Sequence, residues 1–340
     1  MSQIAIIGAG AWGTALSIVL GRKESHQVRL WAHDVAVCNS IQKERTNANF
    51  LPGCLIPERV TATNDLSEAL TGARFVVGAM PSRHCRELFG QMRHLLSPGV
   101  MVVSATKGLE EGSLLRMSQV IADSLGSGKY HPRIGALSGP SFALETARGD
   151  PTAIAIASED VELAQLVQLE FTDPRFRVYT NHDIIGVELG GALKNIVAIA
   201  AGICDGLGLG HNSVAALITR GLAEITRLAV ACGARPETMA GLAGLGDLVL
   251  TCTGGLSRNR SVGLELGRGQ KLPQILASMH GMVAEGVFTT IAAVGLAHAR
   301  GVEVPITEQI HAILYLGKAP ADAIADLMMR SGKSETHSNR

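Results

Sequence analysis

The stretch Ile4-Ala5-Ile6-Ile7-Gly8-Ala9-Gly10-Ala11-Trp12-Gly13 decides the fold of this 340-residue chain. A short β-branched run that breaks into glycines, followed by the Ala/Leu/Ile pattern over 14–20, reads as a buried parallel strand handing over to a crossover helix. Each glycine has its own task. Gly8 makes the tight turn, Gly10 lets backbone approach a pyrophosphate, and Gly13 lets the helix pack closely on its strand, so the positive helix N-terminus faces the phosphates. In a chain with 39 glycines the pattern alone is weak, and it is the strand before and the helix after that make it a dinucleotide fingerprint. A second strand over 27–32 ends in His33-Asp34, where a dinucleotide ribose would lie. Asp34 reads equally as a ribose ligand or as the cap of a helix over 35–41.

Composition narrows the class. With 46% hydrophobic and 18% charged residues the chain reads as globular, which excludes disorder for most of its length. Thirty basic and thirty acidic residues balance, so no global field recruits nucleic acid or an anionic membrane, and an anion must be gripped by a local site. Cys38, Cys54, Cys85, Cys204, Cys232 and Cys252 are scattered without a Cys-x-x-Cys pair; they read as small buried hydrophobes in a reducing compartment, and no metal-ligand cluster is visible. The chain enters a strand with no basic-then-apolar leader, and charge or glycine interrupts each apolar stretch before membrane-spanning length, so a cytoplasmic protein is expected. The polar segment 331–340 is expected to be a flexible tail. No internal repeat is present.

Downstream, strands are expected over 60–63, 74–80, 100–105, 134–137, 153–157 and 176–179, with helices from Asp65 and over 113–125 and 161–171 between them. This alternation predicts a doubly wound, Rossmann-like α/β domain over 1–181. Three turns fall at strand ends, the edge where open parallel sheets bind ligands. At Pro81-Ser82 a cofactor-lining turn and a simple helix cap are both open readings. At Thr106-Lys107-Gly108 the lysine is either solvated or a substrate contact. The turn Ser138-Gly139-Pro140-Ser141-Phe142-Ala143 presents amides suited to an anion.

From Asp183 onward long helical patterns replace the strands, which predicts an all-α domain over 182–330. Its first helix, over 184–204, contains Glu188-Leu189-Gly190-Gly191-Ala192-Leu193-Lys194-Asn195. A lysine among apolar and small residues, one turn after two glycines, is a local inconsistency of the kind that marks function, and partial desolvation would tune it as a proton donor. The alternative is a lysine whose stem is buried and whose ammonium reaches water. Farther on, Gly244-Leu245-Gly246-Asp247 offers a carboxylate that either holds a lysine ammonium or caps a helix. Ser257, Arg258 and Asn259 supply planar and single donors suited to a phosphate dianion, whereas Arg260 reads as readily as a surface charge.

Together these motifs resemble the bacterial NAD(P)-dependent glycerol-3-phosphate dehydrogenases, nearly end to end. The resemblance rests on Gly8 to Leu16, Ala105-Thr106-Lys107-Gly108-Leu109-Glu110, Ser138 to Ala143, Gly190-Gly191-Ala192-Leu193-Lys194-Asn195, Gly244 to Leu248, Ser257 to Arg260 and Ala284-Glu285-Gly286. It implies hydride transfer between NAD(P)H and C2, interconverting dihydroxyacetone phosphate and sn-glycerol 3-phosphate, the glycerophospholipid backbone. By that resemblance Lys194 is the general acid/base. Lys107, Gly139, Ser141, Asn195, Asp247, Thr251, Ser257, Arg258 and Asn259 contact substrate or line its site. Gly8, Gly10, Ala11, Trp12, Gly13, His33, Lys107, Ala143, Arg258, Val283 and Glu285 contact the cofactor. At His33-Asp34 an arginine that would favour a 2'-phosphate is missing, so both cofactors are expected to serve. A homodimer is compatible with the sequence. Two rival readings are another two-domain reductase of similar plan and a cofactor-sensing protein without catalysis; the second would need neither Lys194 nor Asp247.

Overall fold

The computed structural model describes residues 1–126, 132–279, 281–332, 334 and 335. Eight strands, β1 Ser2–Ile7, β2 His26–Trp31, β3 Val60–Thr63, β4 Phe75–Gly78, β5 Met101–Ser104, β6 Arg133–Ser138, β7 Thr152–Ala157 and β8 Phe176–Asn181, form one sheet in the order β3-β2-β1-β4-β5-β6-β7-β8. Both faces are covered, which is why the central strands are apolar throughout. Ile4 and Ile6 of β1 pack into the core on one face, while Ala5 and Ile7 pack into the core on the other. The interleaved helices are α1 Ala11–Gly21, α2 Val35–Glu44, α3 Leu66–Leu70, α4 Cys85–Met92, α5 Met117–Leu125, α6 Ala143–Arg148 and α7 Val161–Phe171.

Two features differ from the sequence expectation. Strands β1 to β6 are parallel, but β7 runs antiparallel to β6 and parallel to β8. The connection after β6 carries only the six-residue α6, too short to recross the sheet as a parallel crossover demands, so the chain turns back at the same edge. The helix expected over 113–125 starts only at Met117, because Leu114 takes a left-handed φ of 61° and Leu109 bridges to Arg116.

Past β8 the chain is helical: α8 Ile184–Gly206, α9 His211–Ala231, α10 Pro236–Met239, α11 Asp247–Thr253, α12 Arg258–Gly267, α13 Leu272–Ser278, α14 Glu285–Arg300, α15 Pro305–Tyr315 and α16 Pro320–Met328. Asp183 opens this region by capping α8 with Oδ1, which accepts from the Gly186 amide at 2.8 Å, while Oδ2 accepts from the Arg235 amide at 2.8 Å. Helix α8 has 23 residues and by length and mean composition alone is long and apolar enough to cross a membrane, although Glu188, Lys194 and its glycines interrupt it as expected. Its most apolar window is 94% buried, so it serves as the axis of a protein core. Ser331, Gly332, Ser334 and Glu335 of the expected tail are exposed and outside helix and strand; the rest of that segment lies outside the described residues.

Helices α8 and α12 approach through glycines. A Cβ on Gly202 would fall 2.0 Å from the Arg260 carbonyl oxygen, and one on Gly263 would fall 1.9 Å from that of Ile199. Backbone therefore rests on backbone, which fixes α12 against α8. Gly263→Ala is expected to lower stability by about 1–3 kcal/mol, the usual cost of forcing a methyl into a packed seam. Gly90→Ala, at a helical position with nothing within 4 Å, should leave the urea midpoint in place or raise it slightly. Equal midpoints for the two variants would refute the tight seam.

Candidate active site

The phosphate turn has the geometry a dinucleotide needs. Gly8 has φ +118°, and a Cβ there would lie 2.8 Å from the Ala79 carbonyl oxygen; a Cβ on Gly13 would lie 1.9 Å from that of Gly8. Gly10, the N-cap of α1, has nothing within 4 Å of its Cβ position, so open space lies beside the free amides of the first turn, which Ala11 and Trp12 begin. The Trp12 indole nitrogen is buried without a partner. His33 is exposed at the end of β2 with its ring 5.8 Å from that of Trp31. Asp34 caps α2, its Oδ1 accepting from the Ala36 amide at 2.7 Å.

Across the cleft, the two lysines share one carboxylate. Asp247, in the first turn of α11, accepts from Lys194 Nζ through Oδ1 at 2.7 Å and from Lys107 Nζ through Oδ2 at 2.6 Å. Lys107 reaches it from the turn after β5 and also donates to the Gly139 carbonyl at 3.1 Å. Lys194 donates to Thr251 Oγ1 at 2.6 Å, and that hydroxyl donates to the Asp247 carbonyl at 2.6 Å. Lys194 is therefore a buried, paired lysine, and Lys107 is not a solvated one. Burial pushes the Lys194 pKa down to about 8, Asp247 opposes that shift, and the Lys107 charge adds to it.

A third group joins these residues to α12. Asn195 Oδ1 accepts from Asn259 Nδ2 at 2.9 Å, and Asn259 Oδ1 accepts from the Gly286 amide at 2.9 Å. Ser257 caps α12, its Oγ accepting from the Arg260 amide at 3.2 Å, which leaves the hydroxyl hydrogen to donate outward. Arg260 turns away to pair with Asp205 at 2.6 Å. Arg258 has no hydrogen-bond or ion-pair partner among the described residues. Its side chain reaches solvent within the cleft, yet enough protein surrounds the guanidinium to push its pKa down, with Glu285 opposing. Ser141 Oγ donates to the Gly139 carbonyl at 2.9 Å, and half-buried Ala143 begins α6 beside it. Val283, also half-buried, and Glu285 lead into α14.

Some members of this network were not legible in the sequence. Ser82 caps nothing; its amide and hydroxyl both donate to Glu285, at 3.0 and 2.6 Å. Glu188 of α8 accepts from Arg116, from the Ser118 amide at 2.7 Å and from Ser118 Oγ at 2.6 Å, tying α8 to α5. A carboxylate six residues before Lys194 in the same apolar helix was the available signal. The buried Ser138 hydroxyl lacks a partner and lies 2.4 Å from the place a Gly191 Cβ would occupy, so that glycine keeps α8 against the sheet edge.

A dinucleotide turn on one wall and a desolvated, carboxylate-paired lysine beside a free arginine on the other are the working parts of a two-domain nicotinamide-dependent dehydrogenase acting on an anionic substrate. Family models described as the N-terminus and C-terminus of NAD-dependent glycerol-3-phosphate dehydrogenase match residues 3–164 and 183–325. A protein of Koribacter versatilis named glycerol-3-phosphate dehydrogenase, NAD(P)+, is 64% identical, over 98% of this chain and 99% of its own. One of the same name from Geobacter sulfurreducens is 51% identical, over 98% of each chain. The crystal structure of the Coxiella burnetii glycerol-3-phosphate dehydrogenase superposes with a TM-score of 0.92 at 42% identity, covering 97% of this chain and 99% of that one. The chain belongs to the NAD-dependent glycerol-3-phosphate dehydrogenase family. Its reaction is the NAD(P)-linked interconversion of dihydroxyacetone phosphate and sn-glycerol 3-phosphate.

Replacing the shared carboxylate isolates its electrostatic part. Asp247→Asn removes the charge that raises the Lys194 pKa and leaves burial and Lys107, which lower it. The pKa is expected to fall below about 8 by about one unit or more, as removing an adjacent opposite charge does. The pH profile of Lys194 acylation, read by mass spectrometry, measures it; an unchanged or higher midpoint would contradict the assignment.

Proposed function

We propose that Lys194 is the general acid of dihydroxyacetone phosphate reduction and the general base of the reverse reaction, with Arg258 and Asn259 gripping the substrate phosphate. One observation supports this reading: a 2.9 Å hydrogen bond joins Asn195, which follows Lys194, to Asn259, which follows Arg258. NAD(P)H held on the phosphate turn would supply the hydride at C2, and NAD(P)+ would accept it in the reverse direction. Lys194 then gives the forming alkoxide its proton at O2, or removes it, while Asp247 and Thr251 hold the amine in place and Lys107 orients the carbonyl oxygen. Gly139, Ser141, Asn195 and Ser257 complete the substrate pocket. Gly8, Gly10, Ala11, Trp12, Gly13, His33, Lys107 and Ala143 hold the dinucleotide, and Arg258, Val283 and Glu285 close on it from the helical side. This reading divides the chain at 181/182, places it in the cytoplasm supplying glycerophospholipid synthesis, and leaves a homodimer as its assembly.

Lys194→Met should retain nicotinamide binding, read by fluorescence, and lose about 10²–10⁴-fold in single-turnover reduction, the range of general acid catalysis. Protonation sets the sign of the pH dependence. The ammonium form needed for reduction dominates below pH about 8, so the reduction rate should fall as pH rises through that value, while oxidation, which needs the free amine, should rise through it. Activity of Lys194→Met within a few fold of the parent would remove the assignment.

Arg258→Lys keeps the charge and loses the planar fork. It should cost dihydroxyacetone phosphate at least about tenfold in kcat/KM, or about 1.4 kcal/mol, and hardly change the weak reduction of unphosphorylated dihydroxyacetone. An equal loss on both substrates would move Arg258 off the phosphate.

A further inference from the structure

Glu285 and Arg258 are each other's charged neighbours, and yet Arg258 is left without a partner. The two are adjacent by construction. Glu285 is the first residue of α14, and the amide of the next residue, Gly286, donates to Asn259, which follows Arg258 in α12. A carboxylate and a partly solvated guanidinium that interact electrostatically can form a two-pronged ion pair, and no such pair is made here among the described residues. Each carboxylate oxygen instead accepts from the other side, Oε1 from the Ser82 amide at 3.0 Å and Oε2 from the Ser82 hydroxyl at 2.6 Å, which fixes the orientation of the group.

Ser82 can do this because of where the sheet puts it. It follows β4 at the ligand edge, is 4% exposed, and packs against Gly108, where a Cβ would fall 2.7 Å from the Ser82 Cβ and 3.3 Å from Glu285 Oε2. The next residue, Arg83, rests its guanidinium 5.4 Å from the Phe288 ring of α14, a second contact between the same two elements. Arg83 also bears on Glu285 electrostatically, but every hydrogen bond that the structure gives the carboxylate comes from Ser82.

We propose that Ser82 is a positioning residue that holds Glu285 away from Arg258 and thereby keeps the Arg258 guanidinium free for the substrate's phosphate. The inference rests on the reading of Arg258 given above. Losing the Ser82 hydroxyl frees Oε2, the carboxylate swings to Arg258, and the phosphate then has to compete with an ion pair already made within the protein.

The test is a set of variants assayed for KM and kcat with dihydroxyacetone phosphate, and for competitive inhibition by inorganic phosphate. Ser82→Ala should raise the KM for dihydroxyacetone phosphate and the inhibition constant for phosphate by about tenfold, the scale of one charge-assisted hydrogen bond, with kcat changed far less. Ser82→Thr, which keeps the hydroxyl, should stay near the parent. With the nicotinamide cofactor held saturating for each variant, because Glu285 is also placed on the dinucleotide, adding Glu285→Gln to Ser82→Ala should lower both constants again relative to Ser82→Ala alone, since a neutral amide binds Arg258 far more weakly than a carboxylate does; a merely structural role for Ser82 predicts no such rescue. Should Ser82→Ala fold poorly, Ser82→Cys keeps the volume, weakens the donor and should show the same shift. Unchanged constants in Ser82→Ala, or a loss that Glu285→Gln does not relieve, would overturn the proposal. If Arg258→Lys weakens dihydroxyacetone phosphate while Ser82→Ala does not, only the role of Ser82 fails; if Arg258→Lys itself has no effect, the reading of Arg258 fails first.

Discussion

The Asp247 carboxylate is the contact on which the rest of the site depends. Its side chain is 2% exposed and carries an ammonium on each oxygen, one from the sheet and one from α8. A buried carboxylate is tolerated only when its charge is met, and here two lysines meet it, one on each oxygen. The same arrangement sets the lysine chemistry. Burial alone would push the Lys194 amine far toward neutrality, and a fully solvated pair would leave it an ordinary ammonium; the shared carboxylate places it between these limits.

Helix α8 turns that local chemistry into an architecture. It carries Lys194 and Asn195, meets the sheet edge through Gly191 beside Ser138, is anchored to α5 through Glu188, and lies against α12 through Gly202 and Gly263. Side chains on either helix of that seam would move α12 outward, and with it Arg258 and Asn259. On the proposed reading, the substrate grip is held at its distance from the proton donor by backbone contact, which yields less than side-chain packing does.

Charge balance explains why the phosphate needs so built a site. With equal numbers of acidic and basic residues there is no long-range attraction for the substrate, so recognition falls to a few donors held in the cleft. On the proposed reading, an arginine close to a carboxylate has to be kept free, and the turn after β4, whose Ser82 donates to Glu285, is the element proposed to do it.

Much of this was open to a reader of the sequence. Periodicity and glycine spacing marked β1, the phosphate turn and α1, since those signals are local: an apolar run, a backbone that must turn, a helix that must start. A lysine in an apolar helix announced itself by contradicting its surroundings. Residues with two chemically sensible uses stayed open until the fold was known. Asp34 and Asp247 both follow turns and both suit a helix cap; one caps, and the other binds two lysines, because only the second has cations brought to it from 140 and 53 positions away in the chain. Ser82, open in the sequence between a helix cap and a cofactor-lining turn, meets a carboxylate 203 residues distant. The sequence by itself determined the elements, the switch from strands to helices and the residues able to do chemistry, because each rests on neighbours along the chain. Which of those residues meet, which hold others, and which guanidinium is left without a protein partner among the described residues were decided by tertiary structure alone, since those outcomes depend on partners that only packing brings within hydrogen-bond reach.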